Sequence, residues 1–268
     1  MVLIGIGNAG SDLVKEFNKT HTKIQIRKKD FPSVCTTAED YESKCPDFTN
    51  KLSFDEEECW VCLSGTSNIA SSTLRILETI KHKVINIIYI YPDLSLCNAM
   101  QLRKHKVVYN VLQEYTRSGL LHRMYLFSNV NVLEVIGNQP INKLYSNINK
   151  QISNAIETLS WLKAQTPVMG SEHEAKLVSR ICTLSVGNLK KNEEKLLFPI
   201  DNITEASYLY SVSNNQLEKN KDMLSLVKKK IESDEKQNIV SSFQIFSSEH
   251  NQSFFYSVKF THFIQTNE

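Results

Sequence analysis

The sequence predicts an α/β chain: a doubly wound, mostly parallel sheet domain over residues 1–139, a long central connecting helix over 140–165, and a smaller α+β mixed-sheet domain over 166–268. Three observations carry this. Short apolar runs alternate with helix-period segments through the first 130 residues, the pattern of crossover units around a parallel sheet. From Ile141 to Lys163 the apolar residues Ile141, Leu144, Ile148, Ile152, Ala155, Leu159 and Leu162 recur at helical spacing. Beyond Pro167, β-patterned runs dominate and enclose one basic amphipathic helix.

The first strand, VLIGI at residues 2–6, runs directly into GIGNAG, with Gly5, Gly7 and Gly10 in GxGxxG spacing, and SDLVKEF opens a helix at once. Strand, glycine turn and helix in that order form the setting in which this motif holds a phosphate. The glycines permit a tight turn and close backbone approach, and the helix N-terminus offers unpaired N–H groups. Three of the chain's eight glycines are spent here, so Gly5, Gly7, Asn8, Ala9 and Gly10 are candidate phosphate-loop residues. The second strand is KIQIR, residues 23–27, and Asp30 lies twenty residues beyond Gly10. A dinucleotide-binding unit carries its ribose-binding acid at about that spacing, and Arg27, Lys28 and Lys29 would suit a 2′-phosphate, so a second ligand class stays open. Residues 33–58 read as loops around a short element.

ECWVCL, residues 58–63, is the third strand, and SGTSNIASST follows as a second Ser/Thr/Gly turn opening a helix. Ser64, Gly65, Thr66, Ser67 and Asn68 join the candidates, because backbone N–H groups and hydroxyls can cradle an anion. KVINIIYIY, residues 83–91, is a β-branched central strand stopped by Pro92. Residues 103–118 form a helix ended by Gly119, and RMYLF, residues 123–127, is one more strand with Ser128-Asn129 as its loop. Ligands bind doubly wound sheets at the strand C-terminal ends, where both turns lie. Pro140 suits the first turn of the central helix, which runs roughly 35 Å at about 1.5 Å per residue. Strands at 181–187 and 206–212, a helix at 221–233 and strands at 239–246 and 254–264 then give a β-β-α-β-β order.

Composition narrows the function classes. Lys and Arg number 31 against 29 Asp and Glu, a net charge of +2, so neither nucleic acid nor an anionic membrane is an expected partner. No apolar run approaches the roughly 20 residues that span a bilayer, and the chain opens on a strand and not on a signal peptide, which points to the cytoplasm. Six cysteines without framework spacing are expected as reduced thiols. Cys59 and Cys62 form a CxxC, but a strand directs them to opposite faces and no second pair completes a zinc site. His173 between Glu172 and Glu174 is the only local metal-like cluster, and no metal site is expected.

This order of pieces resembles the tubulin/FtsZ superfamily over most of the chain. In that family a glycine loop similar to Gly5-Ile6-Gly7-Asn8-Ala9-Gly10 opens the nucleotide domain, a signature loop follows the third strand, and a long helix leads to a smaller mixed-sheet domain. SNVNVLEVIGNQPINKLYSNIN resembles the segment entering the family's central helix. The resemblance implies GTP or GDP with Mg²⁺ as ligands, Tyr145 stacked on guanine, Asn149 hydrogen-bonded to it, and Arg103 near ribose or phosphate. It also implies head-to-tail self-association into filaments. There a carboxylate in the loop after the central helix, Glu172 with Glu174 in reserve, would polarise water on the next copy's nucleotide.

Where the family writes GGGTGTG this chain has Leu63-Ser64-Gly65-Thr66-Ser67-Asn68, and its NxDxxD/E pattern is not reproduced, so hydrolysis is expected to be weak or absent. Two other readings compete: a non-enzymatic assembly or scaffold protein that keeps the fold without the ligand, and an NADP-linked Rossmann oxidoreductase resting on GIGNAG plus Asp30. The Lys-, Asn- and Ile-rich usage suggests an AT-rich genome, and the short chain is similar to phage-encoded tubulin-like proteins, which act in the host cytoplasm.

Overall fold

The computed structural model describes residues 1–171, 175–189, 193–219, 222–249 and 253–266, which divide into two units, Met1–Asn154 and Ala155–Glu268. In the first unit the elements run β1 (Val2–Ile6), α1 (Gly7–Glu16), β2 (Thr22–Ile26), α2 (Ala38–Ser43), β3 (Glu58–Leu63), α3 (Thr73–Thr79), β4 (Val84–Tyr91), α4 (Ala99–Arg117), β5 (Arg123–Ser128) and α5 (Asn129–Ile136). The strands are all parallel, in the order β2-β1-β3-β4-β5. β1 is buried along its whole length and β4 over all but its ends, because crossover helices cover a parallel sheet on both faces. That is why these strands read as unbroken apolar runs.

Helix α6 (Leu144–Lys163) follows a 3₁₀ turn at Ile141–Lys143 and passes from the first unit into the second. Its buried stripe is Ile148, Ile152, Ala155, Ile156, Leu159 and Leu162, as the periodicity predicted except that Ile141 is exposed, Leu144 is half-buried and Ile156 is added.

The second unit contains β6 (Met169–Ser171), β7 (Ile181–Asn188), β8 (Glu193–Leu196), β9 (Glu205–Ser213), α7 (Asn214–Lys219), α8 (Met223–Glu235), β10 (Val240–Ser248) and β11 (Phe254–Thr261). Its sheet runs β7-β11-β9-β10-β6, with β8 also on β7; only β9 and β10 pair in parallel, so the sheet is mixed. Tyr208, Tyr210 and Val212 of β9 form its core with Met223 and Val227 of α8. A buried polar network crosses the same seam. Lys259 donates to the Tyr208 hydroxyl, which donates to Asp234 of α8 at 2.7 Å, and Lys230 of α8 lies 2.7 Å from Glu194.

Several elements differ from the expected bounds, each for a local reason. α4 starts at Ala99, not Arg103, because Asn98 and Gln101 form a reciprocal capping box with both bonds at 2.9 Å. Ser128-Asn129 is not a loop. Ser128 accepts from the Asn131 N–H at 3.3 Å and caps α5, which runs until Gly137 turns the chain at φ +74°. The short element within 33–58 is α2, set by a Thr37/Asp40 capping box. β6, β8 and α7 are additions to the β-β-α-β-β order, too short to stand out as periodic runs.

Candidate functional site

The strand order of the first unit reverses between β1 and β3, and in such a sheet the crevice at the strand C-terminal ends is where ligands bind. Both turns singled out in the sequence open there. Gly7 adopts φ +70°, and a Cβ on it would sit 3.1 Å from Ser67 Oγ, so the two turns meet at this residue. A Cβ on Gly10 would fall 1.9 Å from the Cys62 carbonyl oxygen, which means α1 rests directly on the backbone of β3. Gly5 lies within β1, and its carbonyl accepts from Ser11 Oγ at 3.2 Å. The N-cap position of α1 is Ile6, which offers no side-chain cap, and the first turn carries no acid. Asn8 and Ala9 are exposed, so the positive end of α1 faces open space with its N–H groups unclaimed by a capping side chain.

Two adjoining cavities occupy the crevice, both lined by Thr66 and Gln101. The larger, about 530 Å³, takes Asn8, Ser67 and Asn68 into its walls with Lys28 and Lys104, and no carboxylate. The smaller, about 330 Å³, takes Ala9, Tyr145 and Asn149 with Asp12 and Asp93, and no lysine or arginine. One end thus suits an anion and the other suits a group rich in hydrogen-bond donors. Tyr145 is 57% exposed, its ring available for stacking, whereas Asn149, one turn on, is 8% exposed.

The remaining candidates hold the walls or lie elsewhere. Ser64 and Gly65 are buried beneath the second turn. Asn68 is a clasp: its Nδ2 donates to the Thr36 carbonyl at 2.7 Å, and its Oδ1 accepts from Lys104 Nζ at 2.6 Å. Arg103 is exposed and lines a separate groove of about 380 Å³ beside Leu74 and Val107, so Lys104 is the α4 cation that reaches the crevice. Glu172 and Glu174 lie outside the described residues. Sequence reasoning passed over Lys104, Asp12 and Asp93. The Asn98–Gln101 capping signal fixes the phase of α4 and would have favoured Lys104.

The acids differ in how they are held. Arg27 Nη2 donates to Asp12 Oδ1 at 2.7 Å and Lys15 Nζ to the same oxygen at 2.8 Å. Burial works to raise the Asp12 pKa, but these two cations outweigh it and hold the carboxyl below its ordinary value. Asp93 Oδ1 is spent on the Ser95 N–H at 3.0 Å and hydroxyl at 2.6 Å. Asp30 accepts from the Arg27 N–H at 2.8 Å and from Lys51 at 2.6 Å, and it lines neither cavity. The order β2-β1-β3-β4-β5 also differs from the 3-2-1-4-5-6 order of dinucleotide-binding sheets; of the two features behind the oxidoreductase reading, GIGNAG lies at the crevice and Asp30 does not.

Beneath the crevice His105 of α4 is fully buried, with Nδ1 2.8 Å from Tyr89 Oη; burial, aided by Lys106, depresses its pKa to about 4. All six cysteines are free thiols, and burial pushes Cys59 up to about 12, so the CxxC is inert. No cluster of three or more metal-ligating side chains occurs among the described residues. No helix among them is long and apolar enough to cross a membrane.

No family profile matches the chain, and no curated protein matches it either. Solved structures do. The chain is similar to FtsZ of M. jannaschii, at 12% identity and TM-score 0.67 over 97% of this chain and 87% of that one. It is similar to TubZ of Bacillus thuringiensis serovar israelensis in a GTPγS-form protofilament, at 12% and 0.69 over 97% and 86%. CetZ1 of Haloferax volcanii, a GDP-bound monomer, gives 12% and 0.67 over 99% and 94%. The chain therefore has the tubulin/FtsZ fold.

Proposed function

We propose that this chain binds a guanine nucleotide in the crevice between β1 and β3 and self-associates head to tail, with GTP hydrolysis weak or absent. The observation that carries the reading is the polarity of the crevice. An uncapped helix N-terminus with Lys28 and Lys104 marks the phosphate end, and Tyr145 with Asn149 marks the base end. Similar folds are solved as a GTPγS-form protofilament and as a GDP-bound monomer, which favours the same ligand class here.

Mg²⁺ would arrive with the phosphates. The phosphate cavity offers the hydroxyls of Thr66 and Ser67 but no carboxylate, so the ion would be held by phosphate oxygens, hydroxyls and water. That no carboxylate lines this cavity among the described residues argues against efficient hydrolysis by those residues within one copy. Glu172 or Glu174 of a neighbouring copy remains the proposed source of a water-activating group.

Self-association draws on exposed apolar residues in two places. Leu96, Met100 and Tyr145 line the crevice and Val34 precedes two of its lining residues. In the second unit Val168, Met169, Leu177 and Val178 are exposed on the connection that carries Glu172 and Glu174. Two different apolar patches suit a heterologous contact, which repeats into a filament. We place such a polymer in the cytoplasm. The scaffold alternative rests on the glycine-poor second turn, whose Asn68 is already engaged by Thr36 and Lys104.

The test is a titration of nucleotide-stripped protein with fluorescent GTP and Mg²⁺, challenged with unlabelled GTP, ATP and NADPH. Displacement by GTP alone, lost in Asn149→Ala, is the expected result. Absence of binding at high micromolar concentration would leave the scaffold reading.

A further inference from the structure

We infer that Tyr89 and His105 are a positioning pair, through which β4 holds the second turn and α4 in the register that presents both to the same phosphates; this rests on the nucleotide reading above. The turn contributes Thr66 and Ser67 to the larger cavity, and α4 contributes Gln101 and Lys104. The residue before Thr66 and the residue after Lys104 meet behind these walls. A Cβ on Gly65 would fall 2.9 Å from His105 Cα and 3.2 Å from its carbonyl oxygen, so the turn rests on the backbone of the helix. Tyr89, near the C-terminal end of β4, reaches this junction with Oη 2.5 Å from that Cβ position. The hydroxyl lies 2.8 Å from His105 Nδ1 and takes the backbone of Gly65 as a further hydrogen-bond partner. With the Gly65 N–H on the oxygen, the hydroxyl proton goes to Nδ1, which a neutral imidazole offers as an acceptor.

The surroundings leave the pair little freedom. Tyr89, His105 and Tyr109 are fully buried, the imidazole stacks on Tyr109 with ring centroids 5.5 Å apart, and it lies edge-to-face with Tyr91 at 4.7 Å. A turn that binds an anion through its backbone must be held within about 0.5 Å of the productive geometry. Residues 64–68 contain a single glycine, so this turn cannot adapt freely around a ligand and has to be preset. Two links preset it. Asn68 ties its far end to Lys104 of α4 at 2.6 Å, and Tyr89 ties Gly65 to His105, with Thr66 and Ser67 between the two. Phenylalanine would fill the same space as Tyr89, but only the hydroxyl joins turn to helix.

The experiment measures competition by GTP, GDP and guanosine against fluorescent GTP with Mg²⁺ on the full-length chain. The variants are Tyr89→Phe, His105→Asn, His105→Leu and the double Tyr89→Phe/His105→Leu, each shown to be folded by a thermal melt. Tyr89→Phe should weaken GTP and GDP by about tenfold, roughly the worth of one hydrogen bond, and leave guanosine within about twofold of wild type. His105→Asn keeps an acceptor where Nδ1 stood and should hold GTP affinity within about threefold, whereas His105→Leu should lose it by about tenfold. The double variant should be no weaker than either single one, because both break the same link. A merely structural role would weaken guanosine as much as GTP and would give no advantage to asparagine over leucine. Either result, or unchanged GTP affinity in folded Tyr89→Phe, overturns the pair and leaves nucleotide binding standing. Should Tyr89→Phe fail to fold, the contrast between His105→Asn and His105→Leu decides. Failure of wild type to bind GTP overturns both readings.

Discussion

At Gly10 a single methyl group decides whether α1 can lie on β3. The added Cβ would stand 1.9 Å from the Cys62 carbonyl oxygen, and neither backbone can yield without parting helix from sheet. Gly10→Ala is therefore expected to destabilise the fold by about 3 kcal/mol, the upper range for overpacking, as read by urea unfolding. Gly7→Ala faces a milder obstacle: φ of +70° costs an L-residue about 1–2 kcal/mol and the nearest atom, Ser67 Oγ at 3.1 Å, belongs to a small side chain. Its larger effect should be on nucleotide affinity, because the two turns meet there. His105 gives a residue-scale pH dependence. Its folded pKa of about 4 lies below the ordinary 6.5, so the unfolded chain binds the extra proton between those values. Stability is full above pH 6.5 and falls as the pH drops toward 4, by on the order of 3 kcal/mol. Thermal melts across that window should flatten in His105→Gln, while a wild-type curve already flat there would contradict the buried neutral imidazole.

At the scale of elements, what the sequence made legible followed burial. Strands β1, β3, β4 and β5 and the buried stripe of α6 were readable because a sheet covered on both faces, and a helix packed along one face, impose unbroken or 3.6-period apolar patterns. What stayed hidden was set by local polar bonds that periodicity does not register. α4 begins four residues before its expected start because of Asn98 and Gln101, and α5 exists because Ser128 caps it. The site shows the same division: Thr66, Tyr145 and Asn149 line one cavity and Gly7 meets the second turn at Ser67, whereas telling Arg103 from Lys104 as the crevice-lining cation needed the phase of α4. Asn98→Ala should cost about 1 kcal/mol, the usual worth of a cap. On the proposed function it should also weaken nucleotide binding, since Asn98 and Lys104 both line the larger cavity and a frayed first turn would displace the lysine. Loss of stability with unaltered affinity would mean that Lys104 is held by Asn68 alone.

For the whole molecule, the proposed polymer makes a demand that a symmetric dimer does not. A heterologous contact joins two different patches, so each can be spoiled separately and the damage should complement in a mixture. Val34→Glu places a charge among the exposed apolar residues about the crevice between β1 and β3 without lining either cavity, and Leu177→Glu does so on the connection between β6 and β7. Each variant alone should remain monomeric in sedimentation with GTP and Mg²⁺ while keeping wild-type nucleotide affinity. Mixed at equal concentration, the intact patch of one fits the intact patch of the other once, and growth stops there. The expected product is a heterodimer with no filament. An isologous interface predicts otherwise: one of the two substitutions would be silent, and the mixture would contain homodimers of the silent variant. Filaments from either variant alone would remove that residue from the interface and detach the assembly from the patch that contains it.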